Sequence, residues 1–262
     1  MKITLFTSNN NRHNYFINLL SKISKELFVV QECNTIFPGI ISGRYPRSNI
    51  MKKYFEMVNN AQLKFFGNVF IKNQSSNINI LPIQFGDLNK CSFELLSDFL
   101  ESDLYIVFGS SFIKDELIDF LVKKKAINIH MGLSPYYRGT DCNFWALNDD
   151  NPHLVGSTIH MISKGLDNGP VLYHALSNLK ENPFEYTMST AKAAFHSIVE
   201  RIDNKSLLNI KPVNQNKEKQ IRYSKKIEFN DEIVKKFFNK KINLNSKEFD
   251  NSLLKDPYFY NR

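Results

Sequence analysis

The chain opens on a short apolar run, Lys2–Phe6, that gives way to the polar turn Thr7-Ser8-Asn9-Asn10-Asn11. β-Branched and aromatic residues bounded by turn formers predict a first strand. Tyr15, Phe16, Leu19, Leu20 and Ile23 then recur at helical spacing, so a helix starts near Asn11. Leu27–Val30 predicts a second strand, Phe37–Arg47 a loop broken by Gly and Pro, and Ile50–Phe66 a helix. Ile78–Ile83 reads as a third strand and Phe93–Leu100 as a helix. Leu104–Phe108 is a continuous apolar strand ending in Gly109-Ser110-Ser111, and Phe112–Val122 a helix closed by three lysines, where the helix dipole favours cations. Ala126–His130 is the next strand, Asn143–Leu147 a short helix, and Val155–Met161 alternates as a strand. Glu185–Ile202 is the longest clean helix of the second half; past Asp203 the pattern turns sparse and basic, with Asp231–Phe238 a last helix.

Strand and helix alternate through residue 130, and the strands are apolar on both faces. That pattern belongs to an α/β fold with a doubly wound, mostly parallel sheet covered on both sides. Ligands of such sheets bind beyond the carboxyl ends of the strands. The polar segments expected there are Thr7–Arg12, Gly109–Ser111 and Asn128–Arg138, all facing one crevice.

Composition narrows the class. The 262 residues are 42% hydrophobic and 13% aromatic, enough for a core without disulfide staples. The only apolar run near the start is short, no run approaches a membrane span, and no signal-peptide core is seen, so a cytoplasmic protein without membrane attachment is expected. Cys33, Cys91 and Cys142 are far apart and read as reduced thiols. No metal-ligand spacing occurs, so no metal is expected. The net charge of +8 is partly local, since residues 211–241 hold ten Lys/Arg against four Asp/Glu. It reads either as compositional drift, with Lys, Asn and Ile all abundant, or as a surface for an anionic partner.

No dinucleotide fingerprint follows the first strand, and there is no P-loop, HExxH or nucleophile elbow. Ser110-Ser111 after a buried strand reads as a helix cap before it reads as a nucleophile. Asn128 and His130, two apart on a strand, share one face. An amide beside an imidazole is costly in a sheet interior unless hydrogen-bonded or functional, and the structural and catalytic readings balance for the pair alone. Asp167, in the Gly-flanked turn Gly165-Leu166-Asp167-Asn168-Gly169, reads as a turn aspartate or as a partner that orients His130 and raises its basicity. His160 reads as a structural hydrogen-bonder, His174 and His196 as ordinary residues, and Trp145 as packing under the loop after residue 130.

The ordered run N-I-H, S-P-Y-Y-R-G, W-A, G-S-T-I-H-M and G-L-D-N-G-P, between Leu104 and about Val171, resembles the formyltransferases that use N10-formyltetrahydrofolate. Tyr223–Phe238 is a weaker echo of the segment that follows the core in the tRNA and sugar enzymes. The resemblance implies a catalytic set of Asn128, His130 and Asp167. It also implies N10-formyltetrahydrofolate as formyl donor, its ring on main chain from Phe108, Gly109 and Ser110 and from Gly165, Leu166 and Asp167, with no metal. The family's S-L-L-P is Gly132-Leu133-Ser134-Pro135 here, which changes the shape of that loop.

The acceptor amine is read from other features. The opening T-S-N-N-N-R-H-N-Y-F, with Arg44 and Lys52-Lys53-Tyr54-Phe55, resembles the nucleotide-sugar N-formyltransferases of bacterial surface polysaccharide (O-antigen) synthesis. A substrate set of Ser8, Asn9, Arg12, Lys53, Tyr137 and Arg138 follows, with dTDP-4-amino-4,6-dideoxyglucose as the expected acceptor. The alternatives are a 3-amino sugar nucleotide, methionyl-tRNA, glycinamide ribonucleotide, or a non-catalytic basic RNA-binding relative. The sugar-nucleotide reading takes no nucleic-acid partner. The resemblance further implies a core over 1–205 and an extension over 206–262 that supports a homodimer.

Overall fold

The structure, a computed structural model, describes residues 1–34, 48–71, 76–244 and 251–260. The predicted loop Phe37–Arg47, with Arg44, lies outside the described residues. The first half alternates as its periodicity requires: β1 (Lys2–Ser8), α1 (Asn11–Leu20), β2 (Glu26–Cys33), α2 (Asn49–Phe66), β3 (Ile78–Gln84), β4 (Leu104–Phe108), α3 (Asp115–Lys123) and β5 (Ile127–His130). The second half holds β6 (Tyr137–Gly139), α4 (Cys142–Asn148), β7 (Ser157–Met161), β8 (Val171–Ser177), α5 (Pro183–Asp203), β9 (Arg222–Ser224), α6 (Asp231–Asn239) and β10 (Tyr258–Tyr260). Ser48 caps α2 by accepting from Met51 N, and Asn182 caps α5 by accepting from Phe184 N and Glu185 N.

Eight strands form one sheet in the order β10-β8-β7-β5-β4-β1-β2-β3, and β6 pairs with β9 in a second, two-stranded sheet. The block β5-β4-β1-β2-β3 is parallel. β7 runs antiparallel to both β5 and β8, and β10 returns parallel to β8. Both faces are covered, which the alternation of buried residues shows. Ile3, Leu5, Ile106 and Phe108 enter a large core with residues of α1, α2, α4, α5 and α6. Phe6, Tyr105 and Val107 enter a smaller one with residues of α3. Along β5, Ile127 and Ile129 belong to the large core, so Asn128 and His130 turn to the other face.

The chain after α5 runs back over this core: Leu207, Phe229, Val234 and Phe237 are buried in the same cluster as Phe144 and Phe184. Val213 exchanges backbone bonds with Val171, and β9 lies beside β6.

Two expectations need correction. Phe93–Leu100 is not a helix: residues 93–96 form turns and Ser97–Leu100 a 3-10 segment. Leu96 and Leu100 reach the core while Phe93 and Leu95 face solvent, so too little apolar surface is buried to hold a short helix together. The helix expected from Phe112 starts at Asp115, and Phe112 is exposed. β8, β10 and the short β6–β9 pair add to the predicted elements.

Candidate active site

The parallel register sets the site. Val107 pairs with Asn128, so Gly109, two residues beyond Val107, comes level with His130 at the carboxyl ends of β4 and β5. On the other side, antiparallel pairing puts His160 directly opposite Asn128 and Thr158 opposite His130. The pairing of β7 with β8 slips between Ile159 and His160, an irregularity of the kind that re-aims side chains beside sites.

These strands bring Asn128, His130 and Asp167 together, and His160 with them. His130 Nδ1 lies 3.4 Å from Asp167 Oδ2, and His130 Nε2 lies 3.2 Å from the Tyr137 carbonyl. Asn128 Nδ2 stands 2.9 Å from His160 Nε2 and 3.4 Å from Asp167 Oδ1. His160 Nδ1 is 2.8 Å from the Met161 carbonyl. That bond fixes its proton on Nδ1, so Nε2 accepts from the Asn128 amide.

Both ring nitrogens of His130 thus face acceptors. A neutral ring satisfies one of them and an imidazolium both. Burial works against the charge and lowers the His130 pKa, although Asp167 opposes this; His160 and Arg138 add to the lowering. For Asp167, burial acts upward, but His130, His160 and the Gly139 N–H outweigh it and hold the carboxyl below its usual range. At neutral pH the resting pair is a carboxylate beside a neutral imidazole, ready to accept a proton that two acceptors then stabilise.

The loop after β5 is shaped around this ring. A Cβ added to Gly132 would lie 2.6 Å from His130 Nε2 and 2.5 Å from Cys142 Cβ, so no side chain fits there. The glycine that departs from the family's S-L-L-P is therefore the residue that lets Cys142 and α4 close on His130. The Cys142 thiol, buried beside Asp167, is pushed well up and stays protonated. Cys33, Cys91 and Cys142 are all free thiols.

The loop at the end of β4 is fixed from two directions. Gly109 has φ +67°, and its Cα faces His13, whose Nε2 lies 2.5 Å from where a Cβ would stand. Ser111 donates to Glu32 through both N (2.5 Å) and Oγ (2.8 Å). Glu32 is fully buried and also accepts from Gly86 N at 2.8 Å. Phe108 is buried against His13, Phe16 and Phe195, while Gly109 is exposed and the Ser110 hydroxyl bonds the Ser111 carbonyl. Gly165 and Leu166 lie beside Asp167, with the Leu166 carbonyl accepting from Arg138 Nη2 at 2.8 Å.

The residues expected at the acceptor occupy several places. Ser8 and Asn9, at the end of β1, meet Asn34: its Nδ2 donates to Ser8 Oγ and its N to Asn9 Oδ1. Arg12, in the first turn of α1, donates to Gln62 of α2 at 3.0 Å. Lys53 stands on the exposed side of α2 over the Phe238 ring. Tyr137 joins the cluster through its carbonyl; its buried side chain is bonded by Asn151, and burial pushes the phenol up to about 12. Arg138 is buried, bridging Leu166 and Gln220 and lying over the Tyr223 ring. Among the described residues, no group of three or more His, Cys, Asp or Glu could hold a metal ion. No helix among them is long and apolar enough to cross a membrane.

Sequence reasoning missed two contributors and the placement of a third. His160 had a signal, its alternation with Thr158, but its place opposite Asn128 needs the antiparallel register. Glu32 was visible only as a charge at the end of an apolar strand. Gln215 bonds the carbonyls of Asp167 and Gly169 from 46 residues away or more, and nothing local announces it.

Comparison with known proteins places this geometry. Residues 95–202 match the family described as formyl transferase. That stretch, which holds Gly109, Asn128, His130, His160 and Asp167, is similar to a formyl transferase domain. Solved structures share the fold. A 4-N formyltransferase from Francisella tularensis is 19% identical over 87% of this chain and 77% of its own, with a TM-score of 0.53. An N-formyltransferase from Helicobacter canadensis, in complex with folinic acid and dTDP-3-aminofucose, is 15% identical over 95% of this chain and 77% of its own, with a TM-score of 0.50. Glycinamide ribonucleotide transformylase 1 from Symbiobacterium toebii is 13% identical over 82% of this chain and 94% of its own, with a TM-score of 0.51.

Proposed function

We propose that this protein transfers the formyl group of N10-formyltetrahydrofolate to the amine of a nucleotide-linked amino-dideoxy sugar. The observation that carries the reading is the convergence of Asn128, His130 and Asp167 at the end of β5, inside the formyl transferase domain. In this reaction a neutral amine attacks the formyl carbon, a tetrahedral oxyanion forms, the bond from that carbon to N10 breaks, and a proton passes from the amine to N10. Neutral His130 takes the amine proton, and Asp167 holds the resulting imidazolium. Asn128 donates to the oxyanion by giving up its longer bond to Asp167 while keeping the shorter one to His160. The exposed backbone at Gly109 and the turn at Gly165–Asp167 suit a pterin edge, which is rich in donors and acceptors.

The acceptor reading rests on the β1 end. Helix α1 begins there, with Ser8, Asn9 and Arg12 around its start, and amides plus a guanidinium suit a diphosphate. The Helicobacter neighbour was crystallised with a dTDP-amino sugar, which favours the same class here. Within it, dTDP-4-amino-4,6-dideoxyglucose is the first candidate, for surface-polysaccharide synthesis in the cytoplasm. The segment 206–262 is on this reading an extension of a 1–205 core that contributes to a homodimer.

The test is formyl transfer from N10-formyltetrahydrofolate to a panel: dTDP-linked 4-amino and 3-amino sugars, UDP-linked amino sugars, glycinamide ribonucleotide and initiator methionyl-tRNA. Turnover confined to sugar nucleotides supports the reading. Formylation of the tRNA with none of any sugar nucleotide overturns it, and tRNA binding would also fall steeply with salt.

A further inference from the structure

The proposed chemistry needs Asp167 beside His130, yet the contacts of the carboxylate itself are long. They measure 3.4 Å to His130 Nδ1, 3.4 Å from Asn128 Nδ2, 3.4 Å from Gly139 N and 3.8 Å to His160 Nε2. The main chain around Asp167 is held more closely. Gln215 Nε2 forks onto the carbonyls of Asp167 and Gly169 at 2.9 and 2.8 Å. Arg138 Nη2 holds the Leu166 carbonyl at 2.8 Å, and its Nη1 is bonded by Gln220 at 3.0 Å. Two residues before Gln215, Val213 exchanges both backbone bonds with Val171, at 2.8 and 2.9 Å, which anchors the strap to the sheet. Asp167 itself has φ +47°, a left-handed conformation that an aspartate keeps when its surroundings over-determine it.

We propose that Gln215 is a positioning residue for Asp167, so that the strap after α5 completes the reaction centre from outside the formyl transferase domain. The proposal rests on the reading of Asp167 as the partner of His130. The chemistry of the clamp is specific to an amide: one nitrogen with two N–H groups meets two carbonyls. A carboxylate at 215 would set lone pairs against both carbonyls, and a leucine would fill the space with no donor. Because the bonds made by the carboxylate are loose and those of its backbone are close, the loop's position, not the side chain's own contacts, sets the distance to His130.

The experiment follows the ring of His130 by NMR titration in the full chain, with labelled histidine. The charged and polar groups facing that ring are Asp167, His160, Arg138 and the Tyr137 carbonyl. Asp167→Asn is the reference and should lower the His130 midpoint by removing the opposite charge. Gln215→Leu should move it the same way, with kcat for a sugar-nucleotide acceptor down about tenfold, as displaced catalytic geometry gives. Gln215→Glu, equal in size, repeats the test should the leucine variant not fold. Wild-type midpoint and kcat in a folded Gln215 variant, with Asp167→Asn shifted, overturn the clamp alone. An unshifted midpoint in Asp167→Asn overturns the pairing of Asp167 with His130, and the clamp with it.

Discussion

Two buried histidines, His130 at the end of β5 and His174 in β8, are 7% and 2% exposed, and burial lowers both pKa values. Their partners differ. His174 Nε2 is 2.9 Å from the Ser134 carbonyl, and its Nδ1 is 2.9 Å from the backbone N–H of Lys255. One nitrogen donates and the other accepts, which is what a neutral ring offers and an imidazolium cannot. A proton on Nδ1 would face the Lys255 N–H, and the pKa is pushed down to about 4. His130 has an acceptor at each nitrogen, one of them a carboxylate. Similar burial therefore serves opposite ends: one ring joins β8 to the backbone of Lys255 and stays neutral, and the other can take a proton and pass it on.

The largest effect expected from this difference is on turnover. His130→Ala and Asn128→Ala should each lower kcat by about 10²–10⁴-fold, the range for losing a general base or an oxyanion donor. His174→Ala should leave kcat within about threefold while lowering the melting temperature. Near-normal kcat in either of the first two, or a collapse of kcat in a folded His174→Ala protein, would erase the contrast. In the wild type, kcat/KM should be flat above pH 6.5 and fall on the acid side as His130 protonates.

Next in size is acid stability. The folded pKa of His174 lies at about 4, below the value of about 6.5 in the unfolded chain. The unfolded state therefore binds the proton first as pH falls. The stability associated with the neutral ring is fully present above pH 6.5 and declines as pH drops toward 4, by about 3 kcal/mol in all. His130, lowered too, acts in the same direction. Urea unfolding at pH 7 and pH 4.5 measures the difference, and a pH-independent midpoint would show that neither ring is held neutral by the fold.

The contrast also shows where sequence reading reaches its limit. β4 was legible to the residue, because LYIVF is apolar on both faces and ends at a glycine. Asn128 and His130 were legible as a pair because strand geometry alone puts them on one face. Asp167 stayed open between a turn aspartate and a partner of His130 until the resemblance chose, since its contact with His130 spans a loop whose path periodicity does not describe. β8 went unread: VLYHALS is buried at every position, so it carries no alternation, and a histidine interrupts its apolar run. His174 looked ordinary because the Lys255 N–H that locks it lies 81 residues away. Phe93–Leu100 misled in the other direction, with helical spacing but only part of its apolar set buried. Local chemistry was readable where one strand supplies it, and unreadable where a partner arrives from the far side of the sheet.

The smallest expected effect is the sharpest test of what His174 does. Glutamine at 174 carries an amide N–H and a carbonyl oxygen, so it can give a donor to Ser134 and an acceptor to Lys255, as the neutral ring does. It has no proton to gain in this pH range. His174→Gln should therefore lie within about 1–1.5 kcal/mol of the wild type at pH 7, the scale of one imperfect hydrogen bond, and turnover should be unchanged. On acidification it should lose less stability than the wild type by the share that His174 carries, so the two curves converge or cross toward pH 4.5. If the glutamine variant instead shows the full wild-type acid slope, the acid sensitivity belongs to His130 and its neighbours, and the division of roles between the two rings is wrong.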